Sequence, residues 1–116
     1  MSMPSLQYAG TLMGREAVID FPDSRATVRY TLQGEMLWRV IDSQGKVSEG
    51  HERLSYLQLD DNLHFLNWIE RAGFTVSQLI DVAQGTVQAF WSYAEPGGSQ
   101  AQRISMVVVG RFRFCG

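Results

Sequence analysis

Leu63-His64-Phe65-Leu66-Asn67-Trp68-Ile69-Glu70-Arg71-Ala72-Gly73-Phe74-Thr75-Val76-Ser77-Gln78-Leu79 is the stretch that decides the fold. Two alternating runs flank a short turn built around Gly73, the pattern of a β-hairpin. Side chains alternate between faces along a strand, so His64, Leu66, Trp68 and Glu70 share one face. An acid that continues a Leu-Trp row is either a solvated strand end or a carboxyl inside a pocket. At a strand end, Glu70 meets water or pairs with Arg71, the ordinary fate of an acidic side chain. In a pocket, low dielectric beside Trp68 raises its pKa and suits it to proton transfer near neutral pH.

The same pattern extends in both directions. Leu6–Met13, Glu16–Phe21, Ala26–Leu32 and Met36–Ile41 precede the hairpin, with Glu52–Leu59 leading into it. Thr86–Ala94 and a long Arg103–Phe114 run follow. Gln33-Gly34, Ser43-Gln44-Gly45, Asp60-Asp61-Asn62 and Gln84-Gly85 supply turns, and Glu95-Pro96-Gly97-Gly98-Ser99 is the most evident loop. Thr75–Ala83 also carries Val76, Leu79, Ile80 and Ala83 at helical spacing. Its β-forming start and the bracketing Gly73 and Gly85 favour a strand. These eight or nine short strands at even spacing predict an all-β domain, taken as a single antiparallel up-and-down barrel of eight strands spanning residues 1–116. Closure removes the free edges that an open meander would leave, and a barrel of that size can hold one small ligand.

Composition narrows the function. The chain has 116 residues, 45% hydrophobic and 19% charged, with a net charge of -2, as expected for one globular domain. Its basic residues are arginines apart from Lys46, and they are scattered, so nucleic-acid binding is not expected. Cys115 alone cannot form an intrachain disulfide. Met1–Gln7 lacks the charged start and apolar core of a signal peptide, and no apolar run approaches the ~20 residues of a membrane helix. A cytoplasmic protein without membrane association is the expectation. His51 and His64 have no metal-ligand spacing, and neither a GxGxxG nor a GxxxxGK[ST] motif is present. Neither a metal nor a cofactor is expected.

Other residues suit a pocket. Arg39 lies between Leu37 and Ile41 on a strand whose opposite face carries Met36, Trp38 and Val40. Inside a cavity its guanidinium would clamp a carboxylate or phosphate; outside, its stem would cover surface apolar groups. Tyr30, Tyr56, Trp91 and Tyr93 combine rings with polar tips, and in a ligand-holding barrel such core residues double as pocket wall.

The Trp68-x-Glu70 pair with the following Phe74-Thr75-Val76-Ser77 resembles the calycin-like superfamily that contains the phenolic acid decarboxylases. The chain length, Gly10, and the run Phe74–Asp81 after Trp68-x-Glu70 look closer to the small MoaF-like proteins, which are lipocalin-like barrels. The resemblance implies a barrel with a small apolar cavity. In the decarboxylases the Glu of the W-x-E motif points into the cavity as the acid; carried over, that residue is Glu70, with Trp68 lining the wall. Two departures count against the decarboxylase reaction. The decarboxylases hold the substrate carboxylate with two tyrosines one residue apart on the first strand, whereas this chain has Tyr8 with Gly10 at the partner position. Their arginine in a G-R-W context has no counterpart in Lys46–Glu52. The leading expectation is therefore a binder of a small apolar or aromatic molecule, with Trp68, Tyr30, Trp91 and Tyr93 as wall and Glu70 as polar anchor. One alternative is a lyase or isomerase that uses Glu70 as general acid or base on a phenolic or unsaturated substrate. Another is a non-catalytic interaction module with a packed core, homodimeric through Arg103–Phe114.

Overall fold

A computed structural model describes residues 10–94 and 103–115. These form nine strands: β1 Glu16–Phe21, β2 Ser24–Tyr30, β3 Glu35–Asp42, β4 Val47–Arg53, β5 Ser55–Gln58, β6 Leu63–Ile69, β7 Thr75–Asp81, β8 Thr86–Ala94 and β9 Arg103–Phe114. All pair antiparallel in one sheet ordered β4-β3-β2-β1-β9-β8-β7-β6-β5. Because β1 pairs with β9, the meander wraps back on itself into a nearly closed barrel. The seam lies between the β4 and β5 edges, which Leu54 links directly along the chain. Among the described residues no helix is long and apolar enough to cross a membrane.

The strand count is nine where the sequence predicts eight, and the reason is local. Val47–Arg53 reads Val-Ser-Glu-Gly-His-Glu-Arg, so neither of its faces carries an apolar row. It is held by the ladder to β3, and its inward side presents only Ser48, Gly50 and Glu52, opposite Val40, Trp38 and Met36. The expected strand Glu52–Leu59 is broken at Leu54, whose N–H donates to the Gly34 carbonyl at 3.0 Å. Residues 10–13 form a bend entering a turn instead of the end of a first strand; the rest of the expected Leu6–Met13 run and the Glu95–Ser99 loop lie outside the described residues. The region with helical spacing, Thr75–Ala83, is strand β7 followed by a turn, since its inward row Val76, Gln78 and Ile80 meets β6 and β8 on both sides.

The interior follows the period-2 alternation. Ala17 and Ile19 of β1, Val28 and Tyr30 of β2, Leu66 of β6 and Val87 of β8 are buried, each burial worth ~1.5–3 kcal/mol for the larger side chains. One end of the barrel is stoppered. Leu12, fully buried, sits in the turn before β1, and its N–H donates to the Tyr56 hydroxyl at 3.1 Å. The Thr11 hydroxyl donates to the same oxygen at 3.2 Å. With both acceptor sites of that oxygen taken, the Tyr56 O–H donates to Nδ1 of His64, 2.8 Å away. This neutral His64 is completely buried, and desolvation holds its pKa below the usual imidazole value. The opposite end is left open for a site.

Candidate functional site

The open end gathers the ends of β1, β3, β6 and β8 with the starts of β2, β4 and β7, as antiparallel pairing requires. Between them lies a cavity of about 240 Å³. An apolar space of ~150 Å³ already accepts one benzene ring, and this one is larger. Its floor and sides are aliphatic, with Ile19, Ala26, Val28 and Val76 among them. Five aromatic side chains, Phe21, Trp38, Trp68, Phe74 and Trp91, complete the wall.

The cross-strand register explains the aromatic grouping. Trp68 of β6 pairs with Val76 of β7, which pairs with Trp91 of β8, so both indoles flank one small residue on the inner face. Phe74 stands edge-on to Trp91, with centroids 6.2 Å apart. Across the seam, Trp38 pairs with Gly50. A Cβ at Gly50 would overlap the Trp38 indole, so glycine is what allows the ring to lie across β4. The Trp38 Nε1–H then donates to Glu52 Oε2 at 3.0 Å.

Glu70 sits one residue past the end of β6, where the hairpin turn begins. Its N–H donates to the Phe74 carbonyl at 2.7 Å, and the Gly73 N–H donates to its carbonyl at 2.8 Å. Gly73 adopts φ 97°, a left-handed conformation natural to glycine, which brings the chain back in register. The result places the Glu70 carboxyl on the cavity wall, half-buried, accepting Trp68 Nε1–H at 3.0 Å. Burial raises its pKa, the Trp68 hydrogen bond partly offsets this, and the nearby Glu52 raises it further. No ion pair reaches it among the described residues.

The expected site residues divide. Trp68, Trp91 and Glu70 line the cavity together. Tyr93 stacks at a tilt on Phe74, 4.7 Å between centroids, behind the wall and not on it. Tyr30 also does not line the cavity; it is buried in the core with its hydroxyl unpartnered, and burial pushes its pKa well upward. Arg39 is directed away from the cavity: it belongs to the outward row of β3 with Leu37 and Ile41, and its Nε lies 3.3 Å from Glu49 Oε2. Alternation settles this, because Met36, Trp38 and Val40 occupy the inward row.

The lining residues that sequence reasoning misses include Phe21, Phe74, Trp38 and Gln78, of which the last two carry a signal. Trp38 was noted only as strand filling, although a glycine paired opposite a tryptophan signals a ring crossing the neighbouring strand. Gln78 is a polar residue in the otherwise apolar row of Val76 and Ile80; it is 7% exposed and its Oε1 has no hydrogen-bond partner. Trp91 Nε1 is also buried without a partner. Among the described residues, no group of three or more His, Cys, Asp or Glu side chains is placed to hold a metal ion.

Comparison with solved structures shows a similar fold in a Burkholderia vietnamiensis protein provisionally called a beta-lactamase. It aligns with a TM-score of 0.74 over 91% of this chain and 97% of that one, at 17% identity. At that identity the likeness concerns fold alone. No curated protein matches the sequence. The sequence profile of the MoaF-like family matches residues 13–103, from the turn before β1 to the first residue of β9. That span includes every residue of the cavity wall, and the chain belongs to the MoaF-like family.

Proposed function

We propose that this barrel binds a small, mostly apolar or aromatic molecule in the cavity at its open end, with Glu70 as the polar anchor. The observation that carries the reading is the combination of an aromatic cavity of about 240 Å³ with a single half-buried carboxyl on its wall. Ligand sites are commonly apolar concavities with few polar groups that fix orientation. Trp68 and Trp91 form the wall, and Trp38 and Phe74 join them. Tyr93 supports Phe74 from behind, and Tyr30 belongs to the packed layer below. The calycin-like reading of the barrel fits a fold whose interior is open at one end. A fully packed interaction module is disfavoured by the same cavity.

A ligand-shift melting screen with small aromatics tests this. A binder present at ~100 times its dissociation constant adds ~2.7 kcal/mol of stability and raises the melting temperature. Stabilisation lost on Trp68→Ala but kept on the outer-face substitution Arg39→Ala supports the reading. No stabilisation by any aromatic of cavity size refutes it.

A second reading is supported by the raised pKa of Glu70: proton exchange with an unsaturated or phenolic substrate, as in a lyase or isomerase. General acid–base catalysis typically contributes ~10²–10⁴-fold in rate, so Glu70→Gln would slow turnover by about that factor under this reading. Under the binding reading it alters affinity only.

A further inference from the structure

We infer that the ligand of this cavity is an organic ammonium ion, an apolar or aromatic body carrying a protonated amine that lies against Glu70. This deepens the proposed binding function and rests on it. No Lys or Arg lines the cavity, and the only ionisable lining residue is Glu70. Arginines that ion-pair do so elsewhere: Arg25 with Asp20, Arg29 with Glu16, Arg39 with Glu49. A ligand carboxylate would therefore meet a like charge and find no guanidinium or ammonium to receive it.

Hydrogen-bonding capacity points the same way. Two of the three lining indole N–H groups are already committed, Trp68 to Glu70 and Trp38 to Glu52, and only Trp91 Nε1–H, buried without a partner, is left as a donor. Glu70 retains acceptor capacity beyond its one bond from Trp68. Independently, the Gln78 amide oxygen, in a side chain more than nine-tenths buried against the same cavity, accepts nothing. That oxygen is a lining acceptor with no hydrogen bond of its own. An ammonium brings up to three donors and no acceptor.

The rings complete the match. Tryptophan is the side chain whose face attracts cations most strongly, and Trp38, Trp68 and Trp91 all line this space. Glu52, held by Trp38 on the other side of the seam from Glu70, adds a second negative charge close enough to influence Glu70. A bare metal cation fits poorly, because it would need several oxygen ligands where the wall is largely aromatic and aliphatic. The geometry selects an organic cation with an apolar body.

Benzylammonium, benzyl alcohol and benzoate, nearly equal in size, provide the test, with intrinsic tryptophan fluorescence as the readout. Benzylammonium is expected to bind about tenfold or more tightly than benzyl alcohol, as a desolvated charge-assisted hydrogen bond requires. Benzoate is expected to bind more weakly than either. Glu70→Gln should reduce the ammonium advantage to near parity while leaving benzyl alcohol affinity within about twofold, and Glu52→Gln should reduce it in part. Gln78→Leu supplies an independent variant, expected to weaken benzylammonium more than benzyl alcohol. Equal binding of ammonium and alcohol, or an ammonium preference that survives Glu70→Gln, overturns this inference while leaving an aromatic-binding cavity intact. Absence of binding by all three probes defeats the cavity-binding reading along with it.

Discussion

Glu70 is a carboxyl that the hairpin turn delivers to an aromatic wall, and its environment makes the charged form less favourable than in water. Its folded-state pKa lies above the unfolded one, so its contribution to stability is fully present below the unfolded value and is lost as pH rises through the folded value. Glu70→Gln, which keeps an acceptor for Trp68 Nε1, should therefore melt higher than the parent at neutral pH. The gap should close on acidification, when both side chains are neutral. Because the carboxyl is only half-buried, solvent screening limits the gain to under about 1 kcal/mol. Melting curves across pH check this, and a gap that widens on acidification would contradict it. His64 has the opposite sign. Its pKa is lowered by burial, so the stability tied to its neutral form is present above the unfolded value of ~6.5 and lost as pH falls below it. His64→Phe should flatten that acid limb of the stability profile, although the loss of the Tyr56 bond costs roughly 1 kcal/mol at neutral pH.

At the scale of elements, the β6–β7 hairpin was legible because both strands carry one apolar row that must face inward, and Gly73 supplies a turn. Thr86–Ala94 and Arg103–Phe114 were legible to the residue for the same reason. β4 was not. A strand of Ser, Gly and Glu on one face and Val, Glu, His and Arg on the other has no periodic signal, and only its partner β3 determines its course. The cavity inherited this gap: Trp38 belongs to it only because Gly50 lets the indole pass over β4, a relation between strands 12 residues apart by register. Trp68 is legible from its own alternation; Glu70, which alternation places as readily at a solvated strand end, is directed inward only by the family resemblance, and Arg39, on a strand apolar on both faces, is not legible at all. Gly50→Ala should displace the Trp38 ring, break its bond to Glu52 and cost ~1–3 kcal/mol, as overpacking does. Denaturant unfolding and a shift in Trp38 emission measure it; an unchanged emission spectrum with unchanged stability would show that the ring does not need the glycine.

Across the whole molecule the barrel has two unlike ends. One is closed by Leu12 and the Tyr56–His64 pair, with hydrogen bonds tying the turn before β1 to strands β5 and β6. The other opens into an aromatic space whose lining comes from β1, β2, β3, β4, β6, β7 and β8, with Glu70 and Phe74 at the β6–β7 turn. The two ends share one core, since Ile19, Val28, Met36 and Val76 are both buried in it and part of the cavity lining. The central claim is that the open end takes a ligand among its indoles. The chain has three tryptophans, and all three line the cavity, so every indole N–H resonance is a reporter on it. The most direct measurement is a two-dimensional ¹H–¹⁵N titration of those three signals with benzylammonium and benzyl alcohol. Saturable shifts of Trp38, Trp68 and Trp91 along one binding curve, with outer-face amides such as those of Arg39 and Val109 unmoved, are the expected result. Indole signals that stay fixed at millimolar ligand, or move only with the outer-face amides, would contradict the account.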